Sequence, residues 1–197
     1  MQTLQESFKK QNQTKSVSIH AYCVMDNHYH QSTSYKESSN HLSKYMRYAH
    51  GLFGSRYNRW NKRSGKVAES RPKTSLIENT EHEIRVHFYI EANPIRANIC
   101  KPENLKNYKF NSFKFYAYGI KDEFNSLLTI PQWYLELGRT MKERQKKYRK
   151  LFYEYLMEQS EYKINPKVFE GHFIGSSLWK LAQKDFVFKQ MKERNTS

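Results

Sequence analysis

The sequence contains few of the residues that stabilise secreted or membrane proteins. Cysteine occurs only at Cys23 and Cys100, and this separation fits neither a metal-binding nor a redox motif. We therefore expect two reduced thiols in a cytoplasmic protein. Residues 1–15 are polar, unlike a signal peptide, and no apolar run approaches the length of a membrane span. These absences argue against a disulfide-stabilised fold and predict no membrane-spanning helix.

Acidic residues are scarce as well. The chain has 19 Asp and Glu against 34 Lys and Arg, a formal net charge of +15. Because like charges repel one another in a compact fold unless a polyanion screens them, nucleic acid is the predicted partner. An anionic membrane surface is the alternative, although no strongly apolar amphipathic helix supports it. Aromatic residues make up 15% of the chain and, mixed with Lys and Arg, suit stacking on unpaired bases; a Tyr-rich core under a solvated basic surface would share this composition.

Hydrophobic periodicity predicts a β-hairpin near the start of the chain. The alternating, β-branched segment at 16–25 favours a strand, Asp26-Asn27 favours a turn, and the run from His28 favours a returning strand. The later elements expected are a short strand at 74–78, a basic helix at about 136–159 and a short helix from near Ser176.

Two further segments have the periodicity of helices. Apolar residues three and four apart predict a long amphipathic helix from Asn40 to Trp60. A second helix is expected to begin at Thr80, because Thr80 and Glu83 have the spacing of a capping box. It would end at about Asn93, since the following proline disfavours the α conformation in the residue before it.

Two groups of basic residues extend along the predicted helices. The first is Lys44, Arg47, Arg56, Arg59, Lys62 and Arg63, with no Asp or Glu between positions 38 and 66. The second is Lys142, Arg144, Lys146, Lys147, Arg149 and Lys150. We expect the first to follow a phosphate backbone and the second to grip a hairpin stem. Solvated helical faces are the alternative, and Glu143 and Glu154 dilute the second group.

His28 and His30 lie two residues apart in the predicted returning strand. Side chains at positions i and i+2 of a strand share one face, so both imidazoles would point the same way and could reach one metal ion. The pair alone is weak evidence, because two exposed histidines can have this spacing by chance.

Arg85, Tyr89 and Asn93 form a stripe on the second helix, because residues four apart share a helical face. The three side chains suit a phosphate site. Arg85 would bind the anion, Tyr89 would be the nucleophile, and Asn93 would offer an oxygen ligand. An ordinary solvent-facing stripe on a charged helix is the alternative.

At this point four segments resemble a known family. HAYCVMDNHYH (20–30) resembles the His-hydrophobic-His strand of single-tyrosine transposases. FYIEANPIRANI (88–99) looks like their nucleophile helix, in the form found in REP-associated tyrosine transposases. NYKFNSFKFYAYG (107–119) and FIGSSLW (173–179) are similar to later parts of that family. The paired motifs, in this order and separation, are more specific than either motif by itself.

The resemblance implies an α+β fold, with a ferredoxin-like antiparallel sheet that carries helices on one face and a C-terminal basic helical extension. We expect a catalytic domain at 1–125 and a helical DNA-binding extension at 126–197. The implied partner is single-stranded DNA with hairpin-forming repeats, bound by a monomer or a homodimer.

The resemblance also implies the site and its chemistry. His28, His30 and Asn93 would hold Mg²⁺ or Mn²⁺, which accept oxygen ligands and tolerate imidazole. Tyr89 would attack a phosphodiester, leaving a 5′-phosphotyrosyl link and a free 3′-hydroxyl that can reverse the step and join strands. Because a free tyrosine has a pKa of about 10, the metal-bound phosphate and Arg85 would have to help it ionise.

Three features depart from the family pattern. Residues 31–35 are polar where the family has an apolar run, Asp26 stands where it commonly has proline, and only 18 residues precede Ile19, so the family's first strand is expected to be missing. A truncated or catalytically inactive relative that only binds nucleic acid is therefore the alternative function. A replication-initiating nickase shares the histidine pair, but the basic C-terminal segment argues against it.

Overall fold

A computed structural model describes residue 4 and the ranges 6–8, 17–35, 39–162 and 171–195. The chain is a mixture of helices and short strands, as the sequence predicts. In chain order the elements are β1 (Val17–Val24), β2 (Tyr29–Tyr35), α1 (Ser39–Trp60), β3 (Leu76–Ile77), α2 (Thr80–Glu91), α3 (Asn93–Arg96), α4 (Phe113–Tyr118), α5 (Gln132–Glu136), α6 (Met141–Tyr162), β4 (Phe173–Ile174) and α7 (Ser177–Asn195), with 3₁₀ turns at Pro102–Asn107 and Asn125–Leu127.

The predicted hairpin is confirmed. β1 and β2 pair antiparallel, with Cys23 opposite His30 and Val24 opposite Tyr29. The register shifts between Ile19 and Ala21. Such an irregularity interrupts the alternation of side chains between the two faces of the strand. Side chains beyond it therefore point to the opposite face from the one that an unbroken strand would give them.

Helices cover both faces of the hairpin. Ala21 and Cys23 share a buried cluster with Tyr89 and its neighbours on α2. Ile19 and Tyr22 belong to a second cluster with Tyr45 and other residues of α1. Burial of apolar side chains on two sides stabilises a pair of strands that would be only marginally stable alone.

The ferredoxin-like sheet with helices on one face is not confirmed. Within the described ranges, β1 and β2 form one two-stranded sheet and β3 and β4 form a second, parallel one. The other edge of β1 is bonded by irregular segments instead of a strand, because the Val24 N–H donates to Phe110 O (2.9 Å) and the Thr129 N–H donates to Ile19 O (2.8 Å).

The helix that carries Tyr89 begins at Thr80, as predicted, but its capping residue is Asn79. The side-chain oxygen of Asn79 accepts from the backbone N–H of His82 at 3.1 Å, and Asn79 is extended (φ −154°, ψ 178°). The capping box led by Thr80 was therefore wrong by one residue, since Asn79 already satisfies a free N–H of the first turn. Pro94 does end α2, but it lies in the first turn of α3, where its missing N–H costs nothing.

The expected C-terminal extension packs on the core. Tyr148, Phe152 and Tyr155 of α6 belong to the same buried cluster as Tyr89. The last helix begins near the expected position but, with 19 residues, is longer than the short helix predicted. The boundary at 125–126 stays a prediction. Among the helices of the described ranges, none has the length and apolarity needed to cross a membrane.

Candidate functional site

The structure brings His28, His30 and Tyr89 together. His28 lies just before β2 and His30 within it, and their ring centroids are 5.1 Å apart with planes at 85°. The ring of Tyr89 lies 5.8 Å from that of His30, at 80°. This grouping joins a strand and a helix about sixty residues apart in the chain. It is the juxtaposition that the sequence motifs predict.

Both imidazoles are in states suited to binding a cation. His28 Nδ1 lies 2.6 Å from Asn27 Oδ1. An amide oxygen can only accept, so Nδ1 is a donor here, and Nε2 is the ring nitrogen left to bind a cation. Burial, with smaller contributions from the neighbouring His28 and Arg96, lowers the pKa of His30 to about 4. At neutral pH His30 is therefore uncharged, which is the form that coordinates metals.

Asn93 lies one turn beyond Tyr89 and is buried. Its Nδ2 donates to the carbonyl oxygens of Tyr89 (2.9 Å) and Ile90 (3.2 Å), which leaves Oδ1 as the side-chain atom able to bind an ion. Within the described part of the chain, no cluster of three or more His, Cys, Asp or Glu side chains is placed to hold a metal. An ion at the histidine pair would thus need a ligand of another kind, such as an amide oxygen. Mg²⁺ and Mn²⁺ are ions that accept such an oxygen ligand.

Two arginines lie near Tyr89, and only one of them was anticipated. The predicted phosphate ligand, Arg85, makes an ion pair with Glu158 of α6 (Nη2 to Oε2, 3.1 Å). Arg96 was not anticipated, and its guanidinium carbon lies over the ring of Tyr89 at 4.2 Å from the centroid. Arg96 is exposed, whereas Tyr89 is only 7% exposed. The sequence held one signal, because Arg96 is seven residues, or two turns, after Tyr89; the proline between them obscured it.

Tyr155 of α6 is a second residue that the sequence did not single out. It is buried and its ring lies 5.7 Å from that of Phe88. Burial raises the pKa of its phenol, and the guanidinium groups of Arg96 and Arg85 oppose that rise. Among the described residues its hydroxyl has no hydrogen-bond partner.

A buried polar network anchors the helix that presents Tyr89. The carboxylate of Glu91, fully buried, accepts from Ser112 Oγ (2.6 Å) and from Tyr148 Oη (2.5 Å). His87 Nε2 lies 3.3 Å from the same carboxylate, outside regular hydrogen-bond geometry. These contacts tie α2 to the segment before α4 and to α6. They limit rotation of the helix and so fix the direction in which Tyr89 points.

The first basic group lies along α1 and its exit. Arg47 lies over the ring of Tyr48 at 5.2 Å, and Arg63 lies over that of Tyr57 at 5.7 Å. Arg56 makes an ion pair with Glu6 at 3.3 Å. The group's exposed members are Lys44, Arg47, Arg59, Lys62 and Arg63.

The members of the second basic group differ in their exposure and contacts. Lys146 and Lys147 are exposed on α6. Arg149 instead donates to the carbonyl oxygen of Ala117 and lies over the ring of Tyr118 at 5.0 Å. Arg149 therefore holds α6 against α4, which makes the two lysines the better candidates for contact with a polyanion.

Comparison of the chain with protein-family models, with curated proteins and with solved structures finds no match in any of the three. The resemblance to the single-tyrosine transposases therefore depends on the motifs quoted above and on the grouping of His28, His30 and Tyr89.

Proposed function

We propose that this protein cleaves and rejoins single-stranded DNA in a metal-dependent reaction, through a covalent 5′-phosphotyrosine at Tyr89. The observation that carries the proposal is the convergence of Tyr89 with the two imidazoles, at ring separations of 5.8 and 5.1 Å. Tyrosine beside a histidine pair has little value as packing, because each polar ring must be desolvated. The same groups suit attack on a phosphodiester.

In the proposed reaction Tyr89 Oη attacks the phosphorus of one phosphodiester. The P–O bond to the 3′-oxygen breaks, and that oxygen leaves as a 3′-hydroxyl after it gains a proton. The new phosphotyrosyl ester keeps the energy of the broken bond, so a 3′-hydroxyl can displace Tyr89 and join strands. His28, His30 and Asn93 would hold the Mg²⁺ or Mn²⁺, which when bound supplies positive charge to the scissile phosphate.

Arg96 supports this chemistry more directly than Arg85. Arg96 is exposed and lies over the ring of Tyr89, so a phosphate that approaches Tyr89 meets this guanidinium. Arginine binds phosphate through two parallel hydrogen bonds. Arg85 is already neutralised in part by Glu158.

The finer fold, location and partners are part of the same proposal. The hairpin and α2 would be the portion of a ferredoxin-like domain that holds the site. A net charge of +15 supports a nucleic acid as partner, and the resemblance implies that it is a hairpin-forming DNA strand. The free thiols of Cys23 and Cys100 support a cytoplasmic location.

A covalent-adduct assay tests the proposal. The protein is incubated with Mn²⁺ and a pool of single strands that carry a hairpin beside random sequence, labelled at the 3′ end. Label should remain on the denatured protein, because Tyr89 keeps the 5′ phosphate of the downstream piece. Strands labelled at the 5′ end should leave the protein unlabelled, and a chelator should abolish the adduct.

Two variants complete the assay. Tyr89→Phe should lose the adduct and still bind DNA, whereas Tyr153→Phe, which removes a hydroxyl from an exposed tyrosine of α6, should keep it.

The second candidate function is a nucleic-acid-binding protein without catalysis, favoured by the burial of Tyr89 and the polar composition of β2. Binding without any adduct in either metal would select that function.

A further inference from the structure

The structure points to a second DNA contact, at the end of α1. Trp60 is 75% exposed, more than any other Phe, Tyr or Trp among the described residues. The sequence pattern had placed Trp60 on the apolar side of the helix. A single exposed aromatic residue is ordinary on a protein surface, so its surroundings decide whether it has a use.

The chain around Trp60 carries three exposed cations and no acid. Arg59 precedes Trp60, Lys62 and Arg63 follow it, and all three are exposed. The chain has no Asp or Glu from position 38 to position 68. Cations at the end of a helix stabilise its carbonyl groups, which accounts for some of this charge. It does not account for an indole left in water beside them.

The exposed stripe of α1 leads towards this end. It consists of residues three or four apart, namely Lys44, Tyr48, Gly51, Ser55 and Arg59. A side-chain carbon added at Gly51 would meet nothing within 4 Å, so the middle of the stripe is open. From Tyr48 to Arg59 the stripe spans roughly 16 Å at 1.5 Å per residue. It offers a shallow, uncluttered path between cations.

We propose that Trp60 stacks on an unpaired base of single-stranded DNA whose phosphates follow the stripe and the cations around Trp60. Base stacking needs an exposed ring, and backbone tracking needs cations without intervening acids; both conditions are met here. A polyanion is favoured over a protein partner, because this stretch of the chain carries cations and no acid. A duplex is disfavoured because its base faces are already stacked. This inference rests on the proposed function for the identity of the strand.

Binding measurements on the Tyr89→Phe protein in chelator test the inference without any cleavage. The probes are a short polythymidine strand and the same strand paired with its complement. Trp60→Ala should weaken binding of the single strand roughly 5- to 150-fold, the loss of one base–aromatic stack of 1–3 kcal/mol. It should leave duplex binding nearly unchanged. The single strand should also quench a component of tryptophan fluorescence that the variant lacks.

Two controls separate stacking from general effects. Leu178→Ala removes an even more exposed apolar side chain, 82% exposed on α7, and should not change the affinity of either probe. Lys62→Gln should weaken both probes and reduce the salt dependence of single-strand binding by about 0.7 in slope. Equal losses for both probes in Trp60→Ala, or no quenching that depends on Trp60, would overturn the proposal. If those results came with a normal adduct from a Trp60→Ala protein that keeps Tyr89, only this inference would fail. If neither probe bound at all, the proposed function would fail too.

Discussion

Removal of one hydroxyl from α6 should reveal how strongly the buried network holds the helix of Tyr89. In Tyr148→Phe the ring stays and only Oη is lost. That oxygen donates to Glu91 at 2.5 Å, and neither side chain is exposed. After the substitution the buried carboxylate keeps its bond from Ser112 but loses one of its two donors. No water can replace the donor without opening the core.

The magnitude follows from the charge on the acceptor. Hydrogen bonds to charged groups contribute about 1.5–3 kcal/mol, and an unmet buried acceptor lies at the upper end of that range. For a chain of this length 1 kcal/mol shifts the melting temperature by about 2–4 °C. Tyr148→Phe should therefore lower the melting temperature by roughly 3–12 °C and shift the urea midpoint without a change in the slope.

Tyr155→Phe is the matched control, since it makes the same substitution on the same helix. Tyr155 is also buried, but its hydroxyl has no hydrogen-bond partner among the described residues. Removal of an unsatisfied buried hydroxyl should be neutral or should stabilise by up to about 1 kcal/mol. Urea unfolding followed by circular dichroism measures both variants. If both variants lost the same unfolding free energy, the hydrogen bond from Tyr148 to Glu91 would contribute no more stability than an unpaired phenol. That result would refute the role given to the buried network.

Two further comparisons test assignments around Tyr89. Asn79→Ala should cost about 0.5–2 kcal/mol of unfolding free energy, because Asn79 caps α2, whereas Thr80→Ala should cost far less; the reverse order in urea unfolding would restore the capping box led by Thr80. Arg96→Gln should slow formation of the covalent adduct by about 10²–10³-fold, as for other groups that stabilise developing charge. Arg85→Gln should slow it much less, because Glu158 already binds that guanidinium; equal effects on the adduct rate would argue against the preference for Arg96.

The local pattern of the sequence was sufficient for the elements that hold the site. Alternation and turn residues located the hairpin, and the spacing of His28 and His30 predicted that both imidazoles share a face. Spacing of four likewise predicted that Asn93 follows Tyr89 one turn later, although α2 ends at Glu91 and Asn93 begins α3. These features depend on residues close together in the chain, which periodicity describes well.

Periodicity could not predict contacts between segments that lie far apart in the chain. Glu91 looks like a solvent-facing acid in its segment, and only the packing of α6 shows that it is buried against Tyr148. Arg96 lies beyond the proline that ends α2. The direction of α3 places the guanidinium of Arg96 over the ring of Tyr89. Trp60 fits the apolar spacing of α1, but the core no longer extends to the last turn, so the ring is exposed.

The burial of Tyr89 sets a condition on the proposed chemistry. Only 7% of the surface of Tyr89 is exposed, which leaves little room for a phosphate at the roughly 3–3.5 Å that attack requires. Arg96 is the exposed group that covers the ring. A cation–π contact at such a site is worth about 0.5–1 kcal/mol, whereas charge-assisted hydrogen bonds from a guanidinium to a phosphate are worth about 1.5–3 kcal/mol. An incoming phosphate would therefore draw Arg96 off the ring with a net gain. Access to Tyr89 would require the rotation of one flexible side chain, while the buried network keeps α2 in place.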